Sequence, residues 1–209
     1  STDAARYLYS AKNILWSYTD SVKRLDVIRQ GKPLTLTIHL QSQYIPTKNK
    51  EQDVTWRKLS SQIGYIDVRS MAEGVDKQFS EALKSLNNLP YLIVDIRENT
   101  GGNSSVGDFI AQHLIKGERT IWNGTKLSPS ADAYKGKVIV LEGPVTASAA
   151  ESFLITMKES GDAIVVGTPS AGDTGGNPRL FKTTYGMYYW IPIGHPFKYS
   201  PKGFPLEGK

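Results

Sequence analysis

A serine stands where a predicted strand gives way to a predicted helix. Ser148 lies within residues 146–151, of sequence Thr-Ala-Ser-Ala-Ala-Glu, between an apolar run at 137–141 and a helical pattern at 151–159. A serine at such a junction is exposed and lies at the positive end of a helix dipole, which favours a developing oxyanion. This placement is typical of acyl-transfer nucleophiles, although serine is also a preferred helix N-cap and needs no chemistry there.

A pair of glycines follows a second apolar run. Residues 91–97 indicate a buried strand that leads directly into Glu-Asn-Thr-Gly-Gly-Asn at 98–103. Gly101 and Gly102 can adopt positive φ and can bring backbone N–H groups close to a ligand. The sequence therefore predicts a nucleophile and an oxyanion hole.

Alternating strands and helices are predicted to position both motifs. Strands are expected at 63–68, 92–96, 138–141 and 163–166, and helices at about 74–86, 106–115 and 150–159. This order favours an α/β fold with parallel βαβ units, whose sites gather where strands end and helices begin. Aromatic, alternating residues at 179–199 predict a terminal hairpin.

The first 62 residues indicate a smaller unit. A helix is expected at 4–18 with Asp3 as its N-cap, followed by a hairpin of strands at 22–29 and 34–40. The stretch from 41 to 58 is polar and poor in apolar residues, which indicates a linker.

Composition excludes several classes of function. The net charge of +5 is spread over separated lysines and arginines, so nucleic-acid binding is not expected. The chain has no cysteine, which excludes disulfides, thiolate zinc sites and cysteine nucleophiles. No apolar run approaches the ~20 residues of a membrane span, and no metal cluster or phosphate loop is visible, so no cofactor is expected.

Both motifs resemble those of the tail-specific, or C-terminal processing, serine peptidase family. That family carries Asp-x-Arg-x-Asn-x-Gly-Gly at the end of a strand and a nucleophile segment Thr-Ala-Ser-Ala-(Ser/Ala)-Glu. Residues 95–102 match the first pattern and residues 146–151 the second, in the family's order. The resemblance implies a mixed-sheet, crotonase-like core that hydrolyses peptide bonds of polypeptide substrates.

The resemblance also implies a role for individual residues. Ser148 is expected to be the nucleophile, with the backbone N–H groups of Ala149 and Gly101 as oxyanion donors and Gly102 as the neighbouring candidate. Four further motif residues are expected to hold the loop and the turn in place: Asp95, Arg97, Asn99 and Glu151.

Members of the family usually carry a PDZ domain before the core. The resemblance therefore implies the closing part of a PDZ-like domain at 1–42, a linker at 43–62 and a peptidase core at 63–209. It implies a bacterial protein exported to the periplasm or cell envelope. It also leads us to expect that the PDZ front half precedes this chain and that the core continues beyond Lys209.

One position departs from the family's Ser-Lys branch. Asp173 occupies the place of the expected lysine, and a carboxylate with a reference pKa near ~3.9 is a weak general base. A first hypothesis is the tricorn-type Ser-His-Glu branch, in which Glu207 is the carboxylate and the histidine lies outside this chain. We adopt this branch as the closer resemblance.

Two other hypotheses remain open. The base could be a histidine of this chain, where His39, His113 and His195 are available and His195 is the best placed in sequence. Alternatively, the chain is a non-catalytic member of the fold that binds a peptide or an apolar ligand. The sequence favours a serine endopeptidase and leaves its base open.

Overall fold

The computed structural model describes residues 2–14, 21–40, 52–121, 123–173 and 178–192. The chain divides into two compact units, one of Arg6–Glu51 and one of Ser1–Ala5 with Gln52–Lys209. No helix of the described residues is long and apolar enough to cross a membrane.

A helix and a hairpin form the first described elements. Helix α1 spans Asp3–Asn13, and strands β1 (Val22–Arg29) and β2 (Lys32–His39) pair antiparallel. Gln30 and Gly31 both have positive φ, 53° and 76°, as a two-residue type I′ turn requires. The predicted hairpin is confirmed, whereas the predicted end of the helix, at 15–18, lies outside the described residues.

The N-cap of α1 differs from the prediction. The hydroxyl of Thr2 accepts a hydrogen bond from the backbone N–H of Ala5 at 3.2 Å. Asp3 is already the first helical residue. The expectation that Asp3 caps this helix was therefore wrong by one residue, because a threonine and an aspartate compete for adjacent positions and both are good caps.

The larger unit is built on a five-stranded mixed sheet. Its elements, in chain order, are β3 (Val54–Lys58), β4 (Ile63–Val68), α2 (Val75–Leu86), β5 (Tyr91–Asp95), α3 (Ser104–Gln112), β6 (Arg119–Thr120), β7 (Lys126–Leu127), β8 (Lys137–Glu142), α4 (Ala149–Ser160), β9 (Ala163–Gly167), β10 (Pro178–Lys182) and β11 (Tyr188–Pro192). The sheet order is β3-β4-β5-β8-β9, and only β3 runs antiparallel to its neighbour. The predicted α/β fold with a mixed sheet is confirmed.

The core lies between the sheet and its helices. Helix α2 buries one side at helical spacing through Val75, Phe79, Ala82, Leu83 and Leu86. Gly64 of β4 lets this helix approach the sheet, because a Cβ there would lie 3.1 Å from the Leu86 Cδ1. Close packing of this kind fixes the strand ends that carry the two motifs.

Strand β3 corrects the linker interpretation of 43–62. Its residues pair with β4 in the register Val54↔Val68 to Lys58↔Gly64, so 54–58 belong to the sheet. Val54 is buried, whereas the rest of the strand is partly or fully exposed. An edge strand with one strongly buried residue resembles a polar linker in composition, which explains the error.

Two small hairpins are the remaining elements of the described part of the chain. Strands β10 and β11 pair antiparallel, which confirms the predicted terminal hairpin over its described part. Strands β6 and β7 form a second, two-residue pairing that the sequence did not predict. Strands this short carry too little alternation to be recognised.

Candidate active site

Ser148 occupies a tight turn at the start of α4. The backbone N–H of Ala150 donates to the Ala147 carbonyl oxygen at 3.0 Å, which closes a four-residue turn with Ser148 at its second position. The Ser148 backbone has φ 53° and ψ −121°, the values of this position in a type II′ turn. Glycine dominates that position, whereas an ordinary helix N-cap has β-region angles. The serine is thus held in a strained backbone conformation, which is a feature of functional sites.

Glu151 holds this turn from within the protein. Its buried carboxylate accepts hydrogen bonds from Ser148 N at 3.1 Å and Asp173 N at 2.8 Å through Oε2. Its Oε1 accepts from Ser170 Oγ at 2.6 Å and Gly172 N at 2.8 Å. Burial raises the pKa of Glu151, although these four hydrogen bonds oppose the shift. Glu151 therefore joins the nucleophile turn to residues 170–173.

Asp173 lies beside Ser148 through its backbone. The Asp173 carbonyl oxygen accepts a hydrogen bond from Ser148 N at 3.0 Å. The Asp173 residue is exposed, and its carboxylate has no hydrogen bond to any described residue. The position expected for a lysine base is thus adjacent to the serine, but only main-chain contacts connect the two residues.

Gly101 packs directly against the turn. It has φ 97°, and a Cβ on it would lie 2.7 Å from the Ala147 carbonyl oxygen, 2.8 Å from Ser148 Cβ and 3.0 Å from Ala149 N. Because real side chains do not tolerate such distances from backbone atoms, only glycine fits. The structure therefore brings three of the five predicted site residues into contact, Ser148, Ala149 and Gly101, and Gly102 is the next residue in the chain.

The two glycines differ in whether their N–H groups have a partner. Gly101 N donates to Asn99 Oδ1 at 2.9 Å, so this group is already engaged. Gly102 is exposed, and its N–H has no acceptor among the described residues. Ala149 N, at the first position of α4, likewise has no acceptor in the described part of the chain. Of these three N–H groups, those of Ala149 and Gly102 have no acceptor among the described residues.

Asn99 connects three segments around these donors. Its side chain accepts from Gly101 N through Oδ1 and donates from Nδ2 to the Val68 carbonyl oxygen at 3.0 Å. The backbone carbonyl oxygen of Asn99 accepts from Ala147 N at 3.0 Å. Asn99 is fully buried. It therefore sets the spacing between the end of β4, the glycine pair and the serine turn.

Two family models match this chain. The model described as peptidase family S41 matches residues 62–195, which include both motifs. The chain belongs to peptidase family S41. A second model, described as the N-terminal domain of the Bacteroidetes S41 family, matches residues 1–40. The PDZ-like assignment of residues 1–42 stays a prediction.

Part of this chain is also similar to a curated plant protein. Carboxyl-terminal-processing peptidase 2, chloroplastic, of Arabidopsis thaliana is 29% identical over 126 residues, which are 54% of this chain and 24% of the relative. The chain thus spans about a quarter of the curated relative that it matches.

Solved structures share the fold. The photosystem II D1 C-terminal processing protease is 19% identical, with a TM-score of 0.60 over 90% of this chain and 53% of that chain. Mature CPAF complexed with lactacystin is 12% identical, with a TM-score of 0.66 over 92% of this chain and 62% of that chain. At these identities the two structures support the S41 fold alone.

A cleft of about 480 Å³, lined mostly by charged residues, lies at the carboxyl ends of the sheet strands in this S41 chain. In its lining the buried carboxylate of Asp95 accepts hydrogen bonds from Tyr65 OH at 2.6 Å and Arg97 Nη2 at 2.6 Å. Burial acts to raise the pKa of Asp95, but the hydrogen bonds from Arg97 and Tyr65 outweigh it and lower the pKa. Burial and the Asp95 hydrogen bond raise the pKa of Tyr65 to about 12, so the phenol remains a donor.

Two of the three histidines, His39 and His113, lie among the described residues. His113 caps α3, where its Nδ1 donates to the Phe109 carbonyl oxygen at 2.8 Å and its Nε2 lies 3.3 Å from Asp132 Oδ1. These contacts give it a structural role. His39 ends β2 in the smaller unit, whereas His195 and Glu207 lie outside the described residues. No group of three or more potential metal ligands occurs among the residues that the structure describes.

Sequence reasoning missed two contributors to this site. Thr146 is buried, donates from its hydroxyl to the Ile96 carbonyl oxygen at 2.8 Å and accepts from Gly143 N at 3.1 Å. Ser170 donates to Glu151, as described above. Thr146 lies inside the motif and could have been recognised as a residue that holds the turn, whereas nothing in the sequence around Ser170 distinguishes it.

Proposed function

We propose that this chain forms the core of a serine endopeptidase, which hydrolyses polypeptides through an acyl-enzyme on Ser148. The observation that carries the proposal is the strained type II′ turn that presents Ser148 beside Gly101 at the N-terminus of α4. A serine that served only as a helix cap would have no need of these backbone angles. This observation favours the enzyme over a non-catalytic binding module.

The reaction begins with attack by Ser148 Oγ on the scissile carbonyl carbon. The hydroxyl proton passes to a general base while the carbonyl oxygen becomes an oxyanion. Collapse of this intermediate breaks the C–N bond, and the same base returns the proton to the leaving amine. Water then hydrolyses the Ser148 ester by the reverse sequence of proton transfers and releases the carboxylic acid product.

The oxyanion is held by the N–H groups of Ala149 and Gly102. Both groups lack acceptors among the described residues, and Ala149 N also lies at the positive end of the α4 dipole. Fixed donors at this point are worth about 3 to 4 kcal/mol each in the transition state. Gly101 contributes by its missing side chain, because its N–H already donates to Asn99.

The proposal places the general base, a histidine, outside this chain. The proposal assigns Glu207 as the carboxylate that orients a histidine, as in the tricorn-type branch. Asp173 contributes its backbone to the Ser148 turn and no proton transfer, in line with its main-chain contacts. Residues 1–42 as part of a PDZ-like domain, 63–209 as the core and export to a bacterial cell envelope belong to the same proposal.

A covalent probe tests the nucleophile. The full-length protein and its Ser148→Ala variant would be treated with a fluorophosphonate, and the adduct would be located by peptide mass spectrometry. The proposal predicts one adduct on Ser148 and none on the variant. Equal labelling of both proteins would refute the assignment of Ser148.

A further inference from the structure

The start of the described chain is hydrogen-bonded to the segment that supports the active site. Thr2 N donates to the Ala171 carbonyl oxygen at 2.8 Å, and Thr2 Oγ1 donates to the Ser170 carbonyl oxygen at 3.0 Å. The same hydroxyl accepts from Ala5 N at 3.2 Å. Thr2 and Ser170 lie 168 positions apart in sequence, and the other hydrogen bond joins Thr2 to the next residue, Ala171.

The segment that receives these bonds is also tied to the nucleophile turn. Ser170 Oγ donates to Glu151 Oε1 at 2.6 Å, and Ala171 N donates to the Thr146 carbonyl oxygen at 2.8 Å. Ser170 and Ala171 are both buried. Thr2 and the two residues that flank the nucleophile turn, Thr146 and Glu151, therefore bond to the same two residues.

Thr2 donates a hydrogen bond to the carbonyl oxygen of each of these two buried residues. Among the described residues, no other group donates to the carbonyl oxygen of Ser170 or of Ala171. A buried carbonyl without a donor costs free energy, so loss of Thr2 favours movement of the segment toward water. Such movement would withdraw the N–H groups of Gly172 and Asp173 from Glu151.

We infer that Thr2 is a positioning residue, which holds residues 170–173 against Glu151 and thereby fixes the turn that carries Ser148. It acts through these contacts and touches no reacting atom. The catalytic consequence rests on the proposed function, whereas the structural consequence does not. Thr2, which lies in neither motif, therefore helps to support the active site.

The test compares three variants of the full-length protein. Thr2→Val keeps the shape of the side chain but removes its hydroxyl, and Thr2→Ser keeps the hydroxyl. Thr35→Val is the matched control, because Thr35 also donates a hydroxyl hydrogen bond, to Asp26 Oδ1 at 2.6 Å, but does so within the β1–β2 hairpin. Thr2→Ala removes the hydroxyl without any steric risk and replaces Thr2→Val should that variant not fold.

Two measurements are made on each variant. Amide hydrogen exchange of Gly172 and Asp173 is expected to accelerate roughly fivefold in Thr2→Val, as for loss of one net hydrogen bond, and to match the wild type in Thr2→Ser and Thr35→Val. The saturating rate of Ser148 labelling by fluorophosphonate is expected to fall by a similar factor, with the probe concentration at half-saturation unchanged.

The two measurements separate the inference from the proposed function. Unchanged amide exchange in Thr2→Val would overturn the positioning role, whatever the labelling shows. Faster exchange with an unchanged labelling rate would overturn the link to Ser148. Absence of labelling in the wild type would overturn the proposed function, while the exchange measurement would still decide whether Thr2 holds the segment.

Discussion

Gly101 and Ser148 lie so close that a methyl group on Gly101 would be 2.8 Å from the Ser148 Cβ. The contact joins the two motifs, which are separated by more than forty residues in sequence. The glycine pair and the serine turn therefore form one site, in which a side chain at position 101 would displace the serine turn.

Gly101→Ala is expected to disable the site by pushing the serine turn away. We expect at least a hundredfold fall in the rate of Ser148 labelling and a loss of about 2–3 kcal/mol in the free energy of unfolding, measured in urea. Gly74→Ala is the matched control, because Gly74 has a similar φ of 89° but no atom near its Cβ position. Equal effects of the two substitutions would contradict the importance of the contact.

Glu151→Gln tests the carboxylate that joins the turn to residues 170–173. Glutamine offers one acceptor oxygen and an NH2 group in place of two oxygens that each accept two hydrogen bonds, so two donors lose their partner. We expect a 10- to 100-fold lower labelling rate and a loss of about 2–4 kcal/mol of stability. Glu81→Gln, on the exposed side of α2, should change neither quantity.

Tyr65→Phe is expected to change how stability depends on pH. The lowered pKa of Asp95 contributes stability that is complete above the unfolded pKa of about 3.9 and is lost as the pH falls through the folded value. Removing the phenol donor moves the pKa of Asp95 back toward its ordinary value. The variant should be about 1–2 kcal/mol less stable at pH 7, and the difference should shrink below about pH 4.

Urea unfolding from pH 7 to pH 3 measures this difference, with Tyr91→Phe as the control for loss of a phenol. A Tyr65→Phe difference that stays constant or grows on acidification would show that the hydrogen bond does not act through the Asp95 charge.

Asp173→Asn separates the main chain of Asp173 from its side chain. Only backbone groups of Asp173 contact Ser148 and Glu151, and asparagine preserves them. The labelling rate of Ser148 should therefore stay within about threefold of the wild type. A hundredfold fall would instead assign proton transfer to the Asp173 carboxylate, since general bases contribute about 10²–10⁴-fold.

The sequence predicted the parts of this molecule whose signals are local. Both motifs follow predicted strands of parallel βαβ units, and sites in such sheets gather where strands end and helices begin, so the two motifs were expected in one site. Strand β3 escaped prediction because its only well-buried residue is Val54. A single buried residue does not produce a recognisable alternation.

Other features depend on three-dimensional contacts. The hydrogen bond from Gly101 N to the Asn99 side chain forms a common type of turn. Only the full set of hydrogen bonds shows that this bond occupies the Gly101 N–H and leaves Gly102 as the candidate oxyanion donor. The contact of Thr2 with residues 170–171 spans most of the chain and has no local sequence signal. Glu207 and His195 lie outside the described residues, so a role of either residue in the site stays a prediction.

Peptide hydrolysis by the full-length protein and its Ser148→Ala variant tests the central claim most directly. Release of new amino termini from an unfolded protein such as reduced casein would be measured for both, with Ser152→Ala, one turn further along α4, as the control. The account predicts that Ser148→Ala loses at least a thousandfold in rate while Ser152→Ala retains its activity. Hydrolysis by Ser148→Ala at the wild-type rate would contradict it.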